Sequence, residues 1–268
     1  MGLLRAVSVL IATLVVLTIV LIVSFVFVGL CRMTDYARKF DAVRGPRCKI
    51  SDLYPVLKTG DLVLFVTTTH SLHNSALTQT FYSHAGVLLR EGELVYVTES
   101  TAGAMLMPDP DRPGHDIRMN CGADLTPLLT RLKYYTGDYY VLRLTRDGQP
   151  AELDPAREET LKRLVEHLCR EKYPYPSTTQ GILGLLGRKT ASRHCFQHVA
   201  HLLDAAGLTP LGRDAPLEDA GFTGVCGEVS EIPGVPLPDG YRYDRPIQII
   251  YDIGAREFAF ELRSEAHE

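Results

Sequence analysis

The chain of 268 residues has no tryptophan and only two asparagines, Asn74 and Asn120, and its six cysteines include no Cys-x-x-Cys pair. Neither asparagine begins an Asn-x-Ser/Thr sequon, so nothing marks the chain for N-glycosylation. Cysteines at 31, 48, 121, 169, 195 and 226 stand too far apart for a disulfide-stapled miniature domain. Each is by default a small buried hydrophobe, and a catalytic role has to be argued from its surroundings. Positive charge is not in excess either: 28 Lys plus Arg against 32 Asp plus Glu leave a net charge of -4, which excludes a polybasic nucleic-acid binder. With 46% hydrophobic residues the chain is not disordered. The glycine-rich run Gly181-Ile182-Leu183-Gly184-Leu185-Leu186-Gly187 lacks the Lys-Ser/Thr of a phosphate-binding loop and reads as a buried loop or a bilayer contact.

Charge is absent from Ala6 to Cys31, 26 residues bounded by Arg5 and Arg32. As a helix this segment spans roughly 39 Å, more than the ~30 Å hydrocarbon core requires. A cleavable signal peptide has a shorter apolar region and a small-x-small site, where this chain has Phe25-Val26-Phe27-Val28. The segment is therefore read as a retained membrane anchor, residues 1–31. Arg32, Arg38, Lys39, Arg44, Arg47 and Lys49 follow it, against Arg5 and the amino terminus before it. That asymmetry predicts a cytosolic C-terminal domain, in which the cysteines are thiols. Residues 32–57 read as a basic juxtamembrane linker, with the bilayer as a partner, and 254–268 as a polar tail.

Beyond the linker, Gly60-Asp61 launches a buried strand from Leu62 to Val66. A polar stretch follows, then runs at His84–Leu89 and Leu94–Thr98 around a Glu91-Gly92 turn, the start of an antiparallel sheet. Thr101–Asn120 reads as a long loop, Leu125–Leu132 as a helix and Tyr139–Leu144 as a strand. Pro155–Arg170 is an amphipathic helix with Asp154 as N-cap. A helix from Cys195 to about Ala206 ends at Gly207, and Ile247–Tyr251 is a last strand. The expected class is α+β, an antiparallel sheet packed against helices after one transmembrane helix.

Three residues carry a chemical argument. If Glu91-Gly92 is a two-residue turn, His84 faces Glu99 on one face of the hairpin, close enough for a carboxylate to hold an imidazole; a three-residue loop would bring Ser100 opposite instead. At about 100° per residue, Phe196, Val199, Leu202, Leu203 and Ala206 share one arc of the last helix, and Cys195 falls inside it, pointing toward the sheet. The first turn of a helix favours thiolate, and its orphan backbone N–H is able to stabilise an oxyanion. His194, His198 and His201 lie on the opposite side at metal-compatible spacing, so a three-His zinc site competes with a solvated or loop-contacting face.

These residues resemble the NlpC/P60 superfamily of papain-like cysteine hydrolases, in its circularly permuted branch, the YiiX-like and lecithin:retinol acyltransferase-like proteins. The resemblance lies in Thr59-Gly60-Asp61-Leu62-Val63-Leu64-Phe65, Tyr82-Ser83-His84-Ala85-Gly86-Val87-Leu88, Val95-Tyr96-Val97-Thr98-Glu99-Ser100 and His194-Cys195-Phe196-Gln197-His198-Val199. It spans about Lys58 to Ala206, and the His strand precedes the Cys helix, as in the permuted branch. It implies a domain over 58–253 with Cys195 as nucleophile, His84 as general base and Glu99 as the polar third member, working through a thioester without a cofactor or metal. Tyr82, Ser83, Tyr175 and His198 are the candidate substrate contacts. His194 and Phe196 depart from the pattern, since small or polar residues commonly flank the Cys. The implied activity is hydrolysis or acyl transfer at amide or ester bonds of a lipid or a membrane-proximal peptide or protein. A peptidase of peptidoglycan-like peptides and a catalytically silent scaffold are the alternatives.

Overall fold

In a computed structural model the chain is described over residues 2–43, 45–67, 82–101, 105–108, 116–119, 122–135, 137–170, 194–220, 225, 229 and 231–252. The first element, α1 (Gly2–Val43), is a single helix. Within it Arg5–Cys31, 27 residues with a mean hydropathy of 3.1, is long and apolar enough to cross a membrane. Most of its side chains are exposed: Leu10, Ile19, Leu21 and Phe27 are all more than half exposed.

The helix continues past the expected anchor, and the chain enters the fold earlier than expected. Strand β1 (Arg47–Lys49) pairs in parallel with the last strand, β12 (Ile247–Ile250), matching Cys48 with Ile249. A short helix α2 (Ile50–Leu53) and a 3₁₀ turn follow, burying Ile50, Leu53, Tyr54 and Leu57. The segment 32–57 is thus not a free linker: its second half belongs to the sheet and core. Its pieces of three and four residues are too short to show a period, and β1 is defined only by a partner some 200 residues away.

After α2 come β2 (Leu62–Thr67), β3 (His84–Glu91), β4 (Leu94–Thr101), the antiparallel pair β5 (Met105–Pro108) and β6 (Asp116–Met119), β7 (Gly122–Pro127), α3 (Leu128–Tyr134), β8 (Gly137–Leu142), β9 (Leu144–Arg146), β10 (Gln149–Pro150), α4 (Pro155–Arg170), α5 (Cys195–Ala205) and β11 (Tyr241–Tyr243). The fold is mixed α+β. Seven strands form one sheet in the order β1-β12-β8-β2-β3-β4-β7, antiparallel except where β1 meets β12.

Both faces of the sheet are covered, which explains the unbroken apolar run of β2. Leu62, Leu64, Ala85 and Val87 pack with Leu161, Val165 and Leu168 of α4 and with Phe196, Val199 and Leu202 of α5. Val63, Phe65, Leu88, Val95 and Val97 pack on the other face with Ile50 and Leu53 of α2 and Leu128 and Leu132 of α3. Asp61 fastens the start of β2 to β9: its buried carboxylate accepts backbone N–H bonds from Lys58 at 2.9 Å and Leu144 at 2.7 Å. Burial pushes its carboxyl up to about 7 in spite of those two bonds.

Two further sequence expectations change. Leu125–Pro127 is strand, paired with β4, and the helix starts only at Leu128, because the ladder to Tyr96–Thr98 outweighs a short helical pattern. The expected loop at 101–120 contains β5 and β6, joined from Met105↔Met119 to Pro108↔Asp116. The α4 helix matches expectation, with Asp154 Oδ1 accepting the N–H of Ala156 at 3.2 Å and of Arg157 at 3.1 Å.

Candidate functional site

The β3–β4 hairpin turns at Gly92-Glu93 rather than Glu91-Gly92, with Gly92 at φ +58°. Positive φ is what a two-residue hairpin turn asks of its first central residue. The register is therefore displaced by two from the expected one: Leu88 pairs with Val97 and Gly86 with Glu99. A shift of two leaves every side chain on its expected face, so His84 and Glu99 remain together, now as diagonal neighbours, and His84 Nε2 hydrogen-bonds Glu99 Oε2. Gly86, directly opposite Glu99, makes room for this. A Cβ there would stand 2.6 Å from Val97 Cγ2 and 2.9 Å from the Thr98 carbonyl oxygen.

Cys195 is the first residue of α5 and is 6% exposed, on the helix face that packs against β3 and β4. It lies near enough to His84 for its charge to act on the imidazole. Burial alone would lower the imidazole, but negative charge on Cys195 and Glu99, together with the hydrogen bond to Glu99, raises it to about 9. The ring keeps an opening to solvent, with its side chain 14% exposed while that of Glu99 is 0% exposed.

A fully buried carboxylate needs a cation or a proton. Arg131 of α3, 4% exposed, supplies the cation: Nε donates to Glu99 Oε1 and Nη2 to Oε2, the latter at 3.0 Å. Burial would raise the Glu99 carboxyl, yet Arg131 and His84 hold it well below the usual carboxylate range. Arg131 was not among the residues expected from sequence. The available signal was a lone Arg inside the apolar run Leu128-Leu129-Thr130-Arg131-Leu132, a position that seldom buries a charge without a partner.

The remaining expected residues divide. Ser83 lies beside the site, its hydroxyl donating to the Phe65 carbonyl at 3.0 Å and lying 3.2 Å from the Tyr135 hydroxyl. Tyr82 is 1% exposed and meets Tyr140 edge-on at 6.1 Å, so it is part of the core. His198 is 1% exposed, with Nε2 2.9 Å from Thr98 Oγ1. Tyr175 and Gly181–Gly187 lie outside the described residues.

Of the expected solvated or loop-contacting His194/His198/His201 face, the solvated reading is corrected for His194 and His198. His194 is 2% exposed at the N-cap of α5, and burial, with the charge on His84, pushes its imidazole down to about 3. His201 is paired with Glu218 at 2.9 Å. His198 thus faces the sheet, while the 3₁₀ turn Leu217–Ala220 packs on α5 and brings Glu218 to His201, which sequence periodicity does not reveal. His198 and His201 are thus held by different partners, and no group of three metal-ligating side chains comes together among the described residues.

No family model matches the chain, and no curated protein matches it. Among solved structures it is similar to the crystal structure of the metalloprotein yiiX from Escherichia coli O157:H7, at 17% identity and a TM-score of 0.40, over 74% of this chain and 98% of that one.

Proposed function

We propose that the chain is a membrane-anchored thiol hydrolase or acyltransferase acting on amide or ester bonds, with the permuted papain-like arrangement in which the His strand precedes the Cys helix. The observation that carries this reading is the buried Glu99 carboxylate hydrogen-bonded to His84 Nε2, with Cys195, first residue of a helix, near enough for its charge to act on the same imidazole. His84 takes the thiol proton, Cys195 Sγ bonds to the substrate carbonyl carbon, and the C–N or C–O bond breaks as the imidazolium protonates the leaving group. Water or another acceptor then gives its proton to His84, attacks the thioester and releases the thiol. The backbone N–H of Cys195, at a helix N-terminus, is a donor for the developing oxyanion.

The anchor and its basic flank support a domain on the cytosolic side and a lipid or membrane-proximal peptide or protein substrate. The hydrolase unit then runs from Arg47 rather than Lys58, since β1 completes the sheet edge. The test uses the full chain in detergent micelles with a panel of lipid and peptide electrophiles, followed by turnover of the matching esters and amides. Labelling at Cys195 that is lost in Cys195→Ala, and turnover lost in His84→Ala, is the expected result. An intact wild-type protein whose Cys195 takes no probe would turn the reading toward a silent scaffold.

A further inference from the structure

Glu99 has four acceptor positions on two oxygens and no exposure to water, so the direction of its carboxylate is set entirely by its partners. His84 uses one of these positions, on Oε2. Arg131 takes both oxygens with one edge of its guanidinium, Nε to Oε1 and Nη2 to Oε2. This is the fork geometry that fixes a carboxylate in plane as well as in distance. The guanidinium is itself held by stacking: its central carbon is 4.9 Å from the Phe65 ring centroid and 5.1 Å from that of Tyr135.

Phe65 faces His84 directly across the β2–β3 ladder, their ring centroids 5.3 Å apart. One aromatic ring thus touches both the guanidinium and the imidazole, while Glu99 links them by hydrogen bonds. The remaining nitrogen, Nη1, is buried and has no hydrogen-bond partner among the described residues.

We infer that Arg131 is a positioning residue of the thiol site: by fixing both oxygens of Glu99 it sets where the carboxylate meets His84 Nε2, and so where the imidazole stands relative to Cys195. The inference rests on the Cys195–His84–Glu99 reading above. Charge alone is not enough for this role. A lysine at 131 would still neutralise Glu99, but an ammonium is a point charge and cannot hold both oxygens in one plane.

The test is the pH profile of Cys195 alkylation by iodoacetamide, followed site by site by mass spectrometry on the full chain in detergent micelles, so that no substrate need be known. Arg131→Lys keeps the buried charge pair, and with it the fold. It is expected to move the acid limb of the profile up by about one unit, a loss of roughly tenfold in rate on that limb. Glu99→Gln is expected to do at least as much. Because Arg131 acts through Glu99, the double variant Arg131→Met/Glu99→Gln, which removes both charges together, should behave as Glu99→Gln alone. A merely structural role would lower thermal stability without displacing the limb.

An Arg131→Lys profile that superposes on wild type would overturn the inference, and so would a double variant whose loss is the product of the separate losses. A wild-type Cys195 that reacts no faster than Cys169, with His84→Ala making no difference, would instead remove the thiol site itself and the inference with it.

Discussion

His198 Nε2 and Thr98 Oγ1 meet at 2.9 Å in the interior, and this bond ties the helix carrying Cys195 to the strand carrying Glu99. His198 lies one turn beyond the nucleophile and Thr98 one residue before the carboxylate, so the bond sets the position of α5 along β4. Thr98→Val keeps the shape and removes the hydroxyl. The buried imidazole then loses that partner, at a cost of about 1–3 kcal/mol. A lowered unfolding midpoint together with slower Cys195 alkylation is expected; a drop in stability alone would show that the bond does not set the site.

Cys195 should be alkylated near neutral pH far faster than Cys169. Burial, together with the charge of Asp124, pushes the Cys169 thiol up to about 11, leaving almost no thiolate at pH 7. Cys195 has an imidazole beside it. Site-resolved mass spectrometry after a short pulse of iodoacetamide measures the ratio, and equal labelling of the two in the folded protein would remove the nucleophile assignment.

The alkaline side of the pH–rate profile should report His84. Its imidazolium persists up to about pH 9 and is lost above, so a step in which it protonates the leaving group slows as pH rises through that value. The same raised value makes its stability contribution complete below the ordinary 6.5 and lost as pH rises through about 9. Glu99→Gln removes one of the two negative neighbours and should bring the limb down toward neutral pH. Turnover profiles of the two proteins decide it, an unmoved limb counting against the pairing.

Gly86→Ala should be disruptive although alanine is the smallest change available. The new methyl would press on Val97 Cγ2 and on the Thr98 carbonyl, which belongs to the β4 backbone and yields only if the strands part. Overpacking of this kind costs about 1–3 kcal/mol. It also displaces Glu99 from His84, so alkylation of Cys195 should slow along with the loss of stability measured by thermal unfolding.

His194→Asn should flatten the acid side of the stability curve. Histidine at 194 stays neutral in the fold down to about pH 3, whereas the unfolded chain takes up a proton near 6.5. Its contribution is therefore present above 6.5 and falls as pH drops, by up to about 1.4 kcal/mol per pH unit. Asp61, raised to about 7 from 3.8, slopes the opposite way over that interval, so the difference between variant and wild type is the quantity to measure. Parallel curves for the two proteins would contradict the assignment.

Sequence by itself determined the features that depend on local period and composition. The charge-free stretch to Cys31 declares a helix able to span a membrane, and the apolar arc of α5 places Cys195 toward the sheet. The face shared by His84 and Glu99 was legible because strand parity survives any register shift of two. Tertiary structure alone decided the partners. It chose the turn at Gly92-Glu93 and so made His84 and Glu99 diagonal neighbours. It brought Arg131 from another helix onto the buried carboxylate, and it set His198 of α5 against Thr98 of the sheet instead of water. It also joined Arg47–Lys49 to a strand at the far end of the chain. Each of these depends on which surfaces meet across long sequence separations, and no local pattern of residues encodes that.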